Sequence, residues 1–163
     1  MSDITIRKIK PEDNKRLAII IREVLTEFGG NRPNTAYYDY DTDFMFEAYQ
    51  GKNEIYFVAE VDGVLVGGSG IKLLAGNKDN VCELQKLYIN SNIRGLGLGK
   101  FLVEKCLEFA QKSTYDKCYL ETFPNMDAAI SLYKKFGFKH LDKPIGDTGH
   151  GGCDVWLIKN LYD

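Results

Sequence analysis

Three glycines alternate with other residues in the segment from Arg94 to Lys100. This segment follows a strand-like run, Val81 to Ile89, and opens a helix-like run, Leu98 to Lys112. Glycines in a strand-to-helix turn let several backbone N–H groups point at one anion, because no Cβ stands in the way. The segment therefore predicts a phosphate-binding loop rather than a turn that only caps a helix.

Two common phosphate-binding motifs do not fit this glycine loop. A P-loop needs Gly-x-x-x-x-Gly-Lys followed by Ser or Thr. Counting back from Gly99 puts Arg94 at the first glycine position, and Phe101 stands where the hydroxyl should be. A dinucleotide fingerprint, Gly-x-Gly-x-x-Gly, that starts at Gly95 needs a sixth-position glycine, which here is Lys100. The spacing excludes both nucleotide sites.

The loop does fit Arg-x-x-Gly-x-Gly, with Arg94, Gly97 and Gly99 at the fixed positions. This pattern resembles the pyrophosphate-binding signature of the GNAT superfamily, the N-acetyltransferases that use acetyl-CoA. The strand Val81 to Ile89 looks like the strand that precedes this signature in the family, and the block from Asn125 to Phe138 looks like its next conserved block. The N-terminal elements match in order and spacing, so the resemblance covers nearly the whole chain.

The resemblance implies an α/β (α+β) GNAT fold, with a mixed, mostly antiparallel sheet of about seven strands flanked by about four helices. Residues 1–163 would form a single domain. It also implies acetyl-CoA as cosubstrate and a strand bulge at which the Leu87 N–H polarises the thioester carbonyl. We expect no metal, because the two histidines do not have metal-ligand spacing to a cysteine. The residues expected to bind the cosubstrate are Leu87, Tyr88, Ile89, Arg94, Gly95, Leu96, Gly97, Leu98, Gly99, Lys100, Asn125 and Ala128.

A carboxylate is needed because an acceptor amine must lose a proton before it attacks. For a lysine-like amine this costs about 4–5 kcal/mol at pH 7. By position, eleven residues before Arg94, the resemblance makes Glu83 the general base. The alternative is that Glu83 is a partly buried acid paired with Lys86 or a neighbouring strand. Glu121, on the adjacent predicted strand, is the rival base.

Two residues of the downstream block have a chemical and a structural interpretation. The resemblance makes Tyr133 the general acid that protonates the departing CoA thiolate. Its spacing to Ala129 and Phe136 is also that of a core aromatic on an amphipathic helix. Asn125, after Pro124, is typical of a helix N-cap, and the resemblance places it against the pantetheine arm of CoA.

The elements that position these residues can be predicted from hydrophobic periodicity, which indicates the order β-α-α-β-β-β-α-β-α-β-β. Asp62-Gly63 between two β-rich runs predicts a hairpin. The order indicates a mixed α/β sheet without the strict alternation of a Rossmann fold. The predicted strands are Ile4 to Ile9, Ile55 to Val61, Val64 to Leu74, Val81 to Ile89, Lys117 to Phe123, Phe138 to Leu141 and Asp154 to Leu161; the predicted helices run from Pro11 to Phe28, Phe44 to Tyr49, Leu98 to Lys112 and Pro124 to Phe136.

Composition restricts the partners. The net charge of −2 argues against nucleic acid, because a phosphate backbone requires a basic surface. The longest apolar run has five residues, so we expect no membrane span. Four widely spaced cysteines indicate reduced thiols and a cytoplasmic protein. A homodimer is common in the resembling family, but no residue pattern here requires one.

The acceptor is the part that the sequence leaves open. The resemblance places its site at residues 28–40 and 146–154, and the acceptor is a primary amine of a small molecule or peptide. Tyr37, Tyr38 and Tyr40 either line that pocket or decorate a loop. His150 and Cys153 are candidates for an auxiliary base and a reactive thiol. Two alternatives remain: a CoA-binding sensor or interaction module with little turnover, and a transferase for a longer acyl-CoA.

Overall fold

The computed structural model describes residues 2–162 as one seven-stranded sheet with helices on both faces. The strands are β1 (Ile4–Lys8), β2 (Ile55–Val61), β3 (Val64–Leu73), β4 (Val81–Ile89), β5 (Lys117–Thr122), β6 (Lys139–Leu141) and β7 (Val155–Asn160). The helices are α1 (Asn14–Glu27), α2 (Met45–Ala48), α3 (Leu98–Lys112) and α4 (Asp127–Lys135).

The strand order in the sheet is β1-β2-β3-β4-β5-β7-β6. Only the β4–β5 pair is parallel, and every other neighbouring pair is antiparallel. The predicted mixed, mostly antiparallel sheet of seven strands with four helices is confirmed, and so is the predicted order of the elements. Within residues 2–162, no helix is both long and apolar enough to cross a membrane.

The predicted hairpin between β2 and β3 is present, and its turn shows why Asp-Gly is favoured there. Asp62 has φ of 51° and Gly63 has φ of 80°. Positive φ at both central residues defines a type I′ turn, whose twist matches that of the flanking strands. The hairpin therefore sets the register of β2 against β3 beside the turn, with Val61 opposite Val64.

Two apolar layers cover the sheet. On one face α1 and α2 bury residues such as Leu17, Ile21 and Met45. On the other face α3 and α4 bury residues such as Leu102 and Tyr133. Six of the seven residues of β2 are buried, as expected for a strand covered on both sides.

The structure corrects the start of the last helix. The sequence predicted that Asn125 caps a helix that opens at Pro124, but α4 begins at Asp127 after a non-helical Met126 (φ −88°, ψ 63°). No side chain caps this helix. The Asn125 amide instead donates a hydrogen bond to the Phe28 carbonyl oxygen at 3.0 Å, so the N-cap prediction was wrong.

Candidate active site

The strands β4 and β5 separate part-way along their length. They pair only from Val81 to Glu83, and beyond Glu83 the sheet is open. On the other edge of β4, the Asn90 N–H donates to the Val66 carbonyl. Because alternate residues of an antiparallel strand bond to the same neighbour, the backbone groups of Leu87 and Ile89 face the opening.

A bulge in β4 accompanies this separation, as the resemblance implied. Gly68 pairs with Tyr88 but Gly70 pairs with Gln85, so β4 contains one extra residue. Lys86 lies in the bulge with φ of 52°, and the Tyr56 hydroxyl donates to its carbonyl oxygen at 2.7 Å. Side chains on the two sides of the bulge therefore change their alternation.

An apolar groove of about 370 Å³ lies where the strands separate. It runs between β4, the end of α1 and the start of α4, and Asn125 ties the last two together. Two charged residues, Arg94 and Asp127, line the groove, and the rest of its lining is mainly apolar. The predicted cosubstrate-binding residues among its lining are Leu87, Ile89, Arg94, Gly99, Asn125 and Ala128.

A second cavity, the glycine-loop pocket, adjoins the groove and has a volume of about 260 Å³. Gly95 has φ of 91° and Gly97 has φ of 78°, conformations that residues with a Cβ rarely adopt. Helix α3 begins directly after Gly97, so its free N–H groups open at this pocket. The predicted residues that line it are Ile89, Arg94, Gly95, Gly97, Leu98, Gly99, Lys100 and Ala128.

Arg94 fixes the loop to the scaffold. Its guanidinium contacts a Glu27 carboxylate oxygen at 2.6 Å and donates twice to the Ile89 carbonyl oxygen, at 3.2 and 2.9 Å. Ser131 and Lys135 of α4 also line the glycine-loop pocket, and the sequence prediction missed both. Their spacing of three and seven residues from Ala128 places them on one helix face, which is the signal that could have found them.

Two predicted residues face elsewhere. The Leu96 side chain is exposed and lines neither the groove nor the glycine-loop pocket. Tyr88 lines a different cavity, on the opposite face of β4. The backbone of Tyr88 pairs with Gly68 of β3 and does not face the apolar groove.

That third cavity, which we call the charged cavity, is small, about 40 Å³, and contains Glu83. The Glu83 side chain accepts a hydrogen bond from the Gln85 amide at 2.7 Å. Burial raises the pKa of Glu83 from 4.5 to about 7, against the opposing effects of Gln85, His150 and Lys86. Among the described residues, the Lys86 ammonium pairs with Asp39 at 3.5 Å and not with Glu83.

Glu121, the rival base, also lines the charged cavity but has no free oxygen. The Tyr119 hydroxyl donates to its Oε2 at 2.6 Å, and the Thr148 hydroxyl donates to its Oε1. Glu83 has one oxygen bonded to Gln85 and the other available. The geometry favours Glu83 over Glu121 as the group that accepts a proton.

His150 reaches this cluster from the loop between β6 and β7. Its Nε2 lies 2.7 Å from Asp39 Oδ2. Burial alone would lower the pKa of His150, but the hydrogen bond and charge of Asp39 outweigh burial and raise it. Ligand-type atoms of Glu83, Glu121 and His150 lie within 4.8 Å of one another, a set that could bind a divalent cation or exchange protons.

The remaining candidate residues of the acceptor region differ in whether they line the charged cavity. Cys153 lines the charged cavity, and burial raises the pKa of its thiol to about 12, which opposes a reactive thiolate. Tyr38 and Tyr40 are exposed, while Tyr37 is half-buried beside the Arg22 guanidinium. None of these three tyrosines lines the charged cavity.

Tyr133 lies on α4, directly after Leu132 of the apolar groove. It is buried, and its ring packs edge-on against Phe138 at 5.8 Å between centroids. Burial raises the pKa of Tyr133 above its usual value. The phenol therefore keeps its proton throughout the physiological pH range.

Comparisons with known proteins agree with this architecture. A family model described as the acetyltransferase (GNAT) family matches residues 19–138. The uncharacterized N-acetyltransferase YjgM of Escherichia coli is 37% identical over 158 residues, 96% of this chain and 94% of that protein. Human N-acetylaspartate synthetase is 37% identical over 110 residues, 66% of this chain but 34% of that protein. Thermoplasma acidophilum PaiA N-acetyltransferase, solved with coenzyme A, has the same fold, with a TM-score of 0.75 at 22% identity over 97% of this chain and 99% of that chain.

Proposed function

This chain belongs to the acetyltransferase (GNAT) family, and we propose that it transfers the acetyl group of acetyl-CoA to a primary amine of a small molecule or peptide. Direct attack in a ternary complex is the mechanism we infer. The observation that carries the proposal is the position of Glu83, the last residue of β4 that pairs with β5. The apolar groove opens directly beyond it, and its carboxyl faces the charged cavity.

The shape and polarity of the groove fit the donor. An apolar groove along an open strand edge suits pantetheine, whose amides can bond to the backbone of Leu87 and to the Ile89 N–H as an added strand does; the Ile89 carbonyl oxygen already accepts from Arg94. The glycine-loop pocket suits a pyrophosphate, because N–H groups at the start of α3 converge there with Arg94, Lys100 and Lys135. The PaiA structure, which has this fold, was solved with coenzyme A.

Glu83 accepts the proton of the acceptor amine. A general base works best when its pKa is close to the operating pH, and burial gives Glu83 a pKa of about 7. The neutral amine nitrogen then forms a bond to the acetyl carbon as the carbon–sulfur bond breaks, and the second proton that this nitrogen loses replaces the one that Tyr133 gives to the thiolate. The proton on Glu83 passes to solvent through the charged cavity.

Two further groups of the chain act on the thioester and on the CoA thiolate that leaves it. The Leu87 N–H faces the opening between the strands and donates to the thioester oxygen as negative charge develops there. Tyr133 holds its proton and donates it to the thiolate that departs. Both assignments rest on position: Leu87 lines the groove, and Tyr133 follows Leu132, which lines it too.

The acceptor of one relative is named. Human N-acetylaspartate synthetase, by its name, makes an acetylated amino acid, and it matches two thirds of this chain. This supports a small amine as acceptor.

The test is thiol release from acetyl-CoA in the presence of amines, polyamines, amino acids and peptides, with mass spectrometry of the products. We expect an acceptor to gain one acetyl group as one thiol appears. In Tyr133→Phe the rate should fall about 100-fold while acetyl-CoA affinity, measured by calorimetry, stays within about twofold of the wild type.

An unchanged rate in Tyr133→Phe would remove this residue from the mechanism. Tight acetyl-CoA binding with no thiol release across the whole panel would overturn the transferase proposal and identify a binding module instead.

A further inference from the structure

We propose that the acceptor is an amine that carries a carboxylate, as an amino acid does, and that Lys86 binds this carboxylate in the charged cavity. The inference rests on the proposed acetyl transfer and adds the class of acceptor and the residue that selects it. Three observations on the Lys86 side chain support it: the cavity that the side chain lines, its burial and its contact with Asp39.

The bulge in β4 places Lys86 beside Glu83. In a regular strand, residues three apart point to opposite faces of the sheet. Here the extra residue changes the alternation, with Gly70 opposite Gln85 and Gly68 opposite Tyr88. Glu83 and Lys86 consequently line the same cavity. The bulge therefore brings a carboxyl and an ammonium to one small space.

The Lys86 ammonium is buried with little compensation. Its side chain is only 6% exposed, and its Nζ lies 3.5 Å from Asp39 Oδ2, which is long for a hydrogen bond. Asp39 makes a much shorter contact, 2.7 Å, with His150. A buried charge is costly unless it is paired and hydrogen-bonded, and an ammonium has three donors. Within residues 2–162, Lys86 thus has donors left for an anionic group.

The signs of charge in the cavity favour a zwitterion over other amines. The Glu83 carboxylate, with one oxygen available, suits an acceptor's ammonium group, whereas Lys86 and His150 suit an anion. A polyamine would bring several positive charges to two cations, which is unfavourable in a buried site. A phosphate dianion would need more donors than one ammonium that Asp39 already shares. An acceptor with a single carboxylate close to its amine matches both the negatively and the positively charged groups of the cavity.

A wall of loop residues closes the site toward solvent. Glu121, His150 and Cys153 also line an outer cavity of about 220 Å³, formed mainly by the loop before β7. The Thr148 hydroxyl bonds to Glu121, and His150 bonds to Asp39, across this boundary. The charged cavity, at about 40 Å³, has room only for an acceptor's charged end groups, and the outer cavity holds the rest of the acceptor beyond His150.

The experiment compares acceptors in matched pairs. Each pair contains an amino acid and the amine that lacks only its carboxylate, such as serine with ethanolamine and leucine with isoamylamine. For wild-type protein we expect kcat/KM to be roughly 10- to 100-fold higher for the amino acid in at least one pair, the range expected for a hydrogen-bonded charge pair.

The variant Lys86→Met keeps the length of the side chain and removes its charge. We expect it to raise KM for the amino acid by roughly 10- to 100-fold while kcat/KM for the matched amine changes little. Lys105→Met, an exposed lysine on α3, is the control and should leave both acceptors unchanged. A Lys86 that only holds Asp39 in place would instead lower kcat/KM for both members of a pair equally.

The outcomes separate the inference from the function on which it rests. If amines without a carboxylate are acetylated as well as, or better than, their amino acids, the inference is overturned and the transferase proposal stands. This comparison needs only the wild type, so it holds even where Lys86→Met does not fold. If neither member of any pair is acetylated, the inference fails, and the proposed function fails with it only where the polyamines and peptides of the wider panel also release no thiol.

Discussion

The two sides of β4 differ in how they are built. On one side, the apolar groove and the glycine-loop pocket are formed by the end of β4, the turn after it, α4 and the end of α1, and mainly by backbone and apolar groups. On the other side, the charged cavity is formed by side chains far apart in the chain, among them Glu83, Glu121 and His150.

This difference in construction determines how widely each kind of binding site can be shared among proteins. A backbone cradle recognises a phosphate in any protein that places N–H groups at a helix start. A set of charged side chains recognises one arrangement of charges. The groove therefore suits a donor shared across a family, whereas the charged cavity suits an acceptor particular to this chain.

The largest effect is expected on the backbone-built side. Gly97→Glu places a carboxylate among the phosphate-facing N–H groups, and its φ of 78° strains any side chain. We expect acetyl-CoA affinity to fall about 100-fold or more, which corresponds to about 3 kcal/mol. Isothermal titration calorimetry measures this loss.

Gly63→Glu is the matched control, because Gly63 has φ of 80° with nothing within 4 Å of an added Cβ and lies in the β2–β3 hairpin. It should bear the same backbone strain with normal acetyl-CoA affinity. Equal affinity in the two variants would show that the glycine loop does not hold the phosphates.

On the charged side we expect an effect on stability rather than on acetyl-CoA affinity. The native pKa of Glu83 is raised from 4.5 to about 7 by burial. Native protein therefore keeps a proton that the unfolded chain loses, and stability present below pH 4.5 is lost as pH rises through 7. Glu83→Gln cannot titrate, so between pH 4.5 and 8 its free energy of unfolding should gain about 3 kcal/mol on the wild type.

Asp13 supplies a control of opposite sign. Burial alone would raise the pKa of Asp13, but hydrogen bonds from Arg7 and the Lys10 backbone lower it. Its stabilisation is present above its unfolded pKa and is lost as pH falls, so Asp13→Asn should lose most at neutral pH. Urea unfolding followed by circular dichroism gives both curves. A Glu83→Gln curve parallel to the wild type would contradict the burial argument.

Residues that are contiguous in the chain could be assigned from the sequence, whereas residues brought together by strand pairing could not. The glycine loop was found because its residues are contiguous and their spacing reflects backbone geometry. Glu83 was found only through its distance from Arg94. Lys86 was seen as a partner for Glu83 but not as a cavity residue, because the bulge that turns it depends on pairing with Gly68 and Gly70 of another strand.

Long-range contacts set the other limits. His150 and Asp39 are 111 residues apart, and no local pattern relates them. Asn125 has the residue type of a helix cap, yet its amide bonds to Phe28, 97 residues away. Local propensity predicted where the elements lie, and tertiary contacts determined what these polar side chains do.

If Glu83 deprotonates the acceptor, the ionisation of Glu83 should govern the pH dependence of kcat/KM. Two acceptors with different amine pKa values separate the enzyme's titration from that of the substrate. For wild type, the account predicts activity that rises with pH through an inflection near pH 7 with both acceptors. In Glu83→Gln the inflection should vanish and the rate should fall about 100- to 10,000-fold. A variant that keeps both the inflection and the wild-type rate would contradict the account.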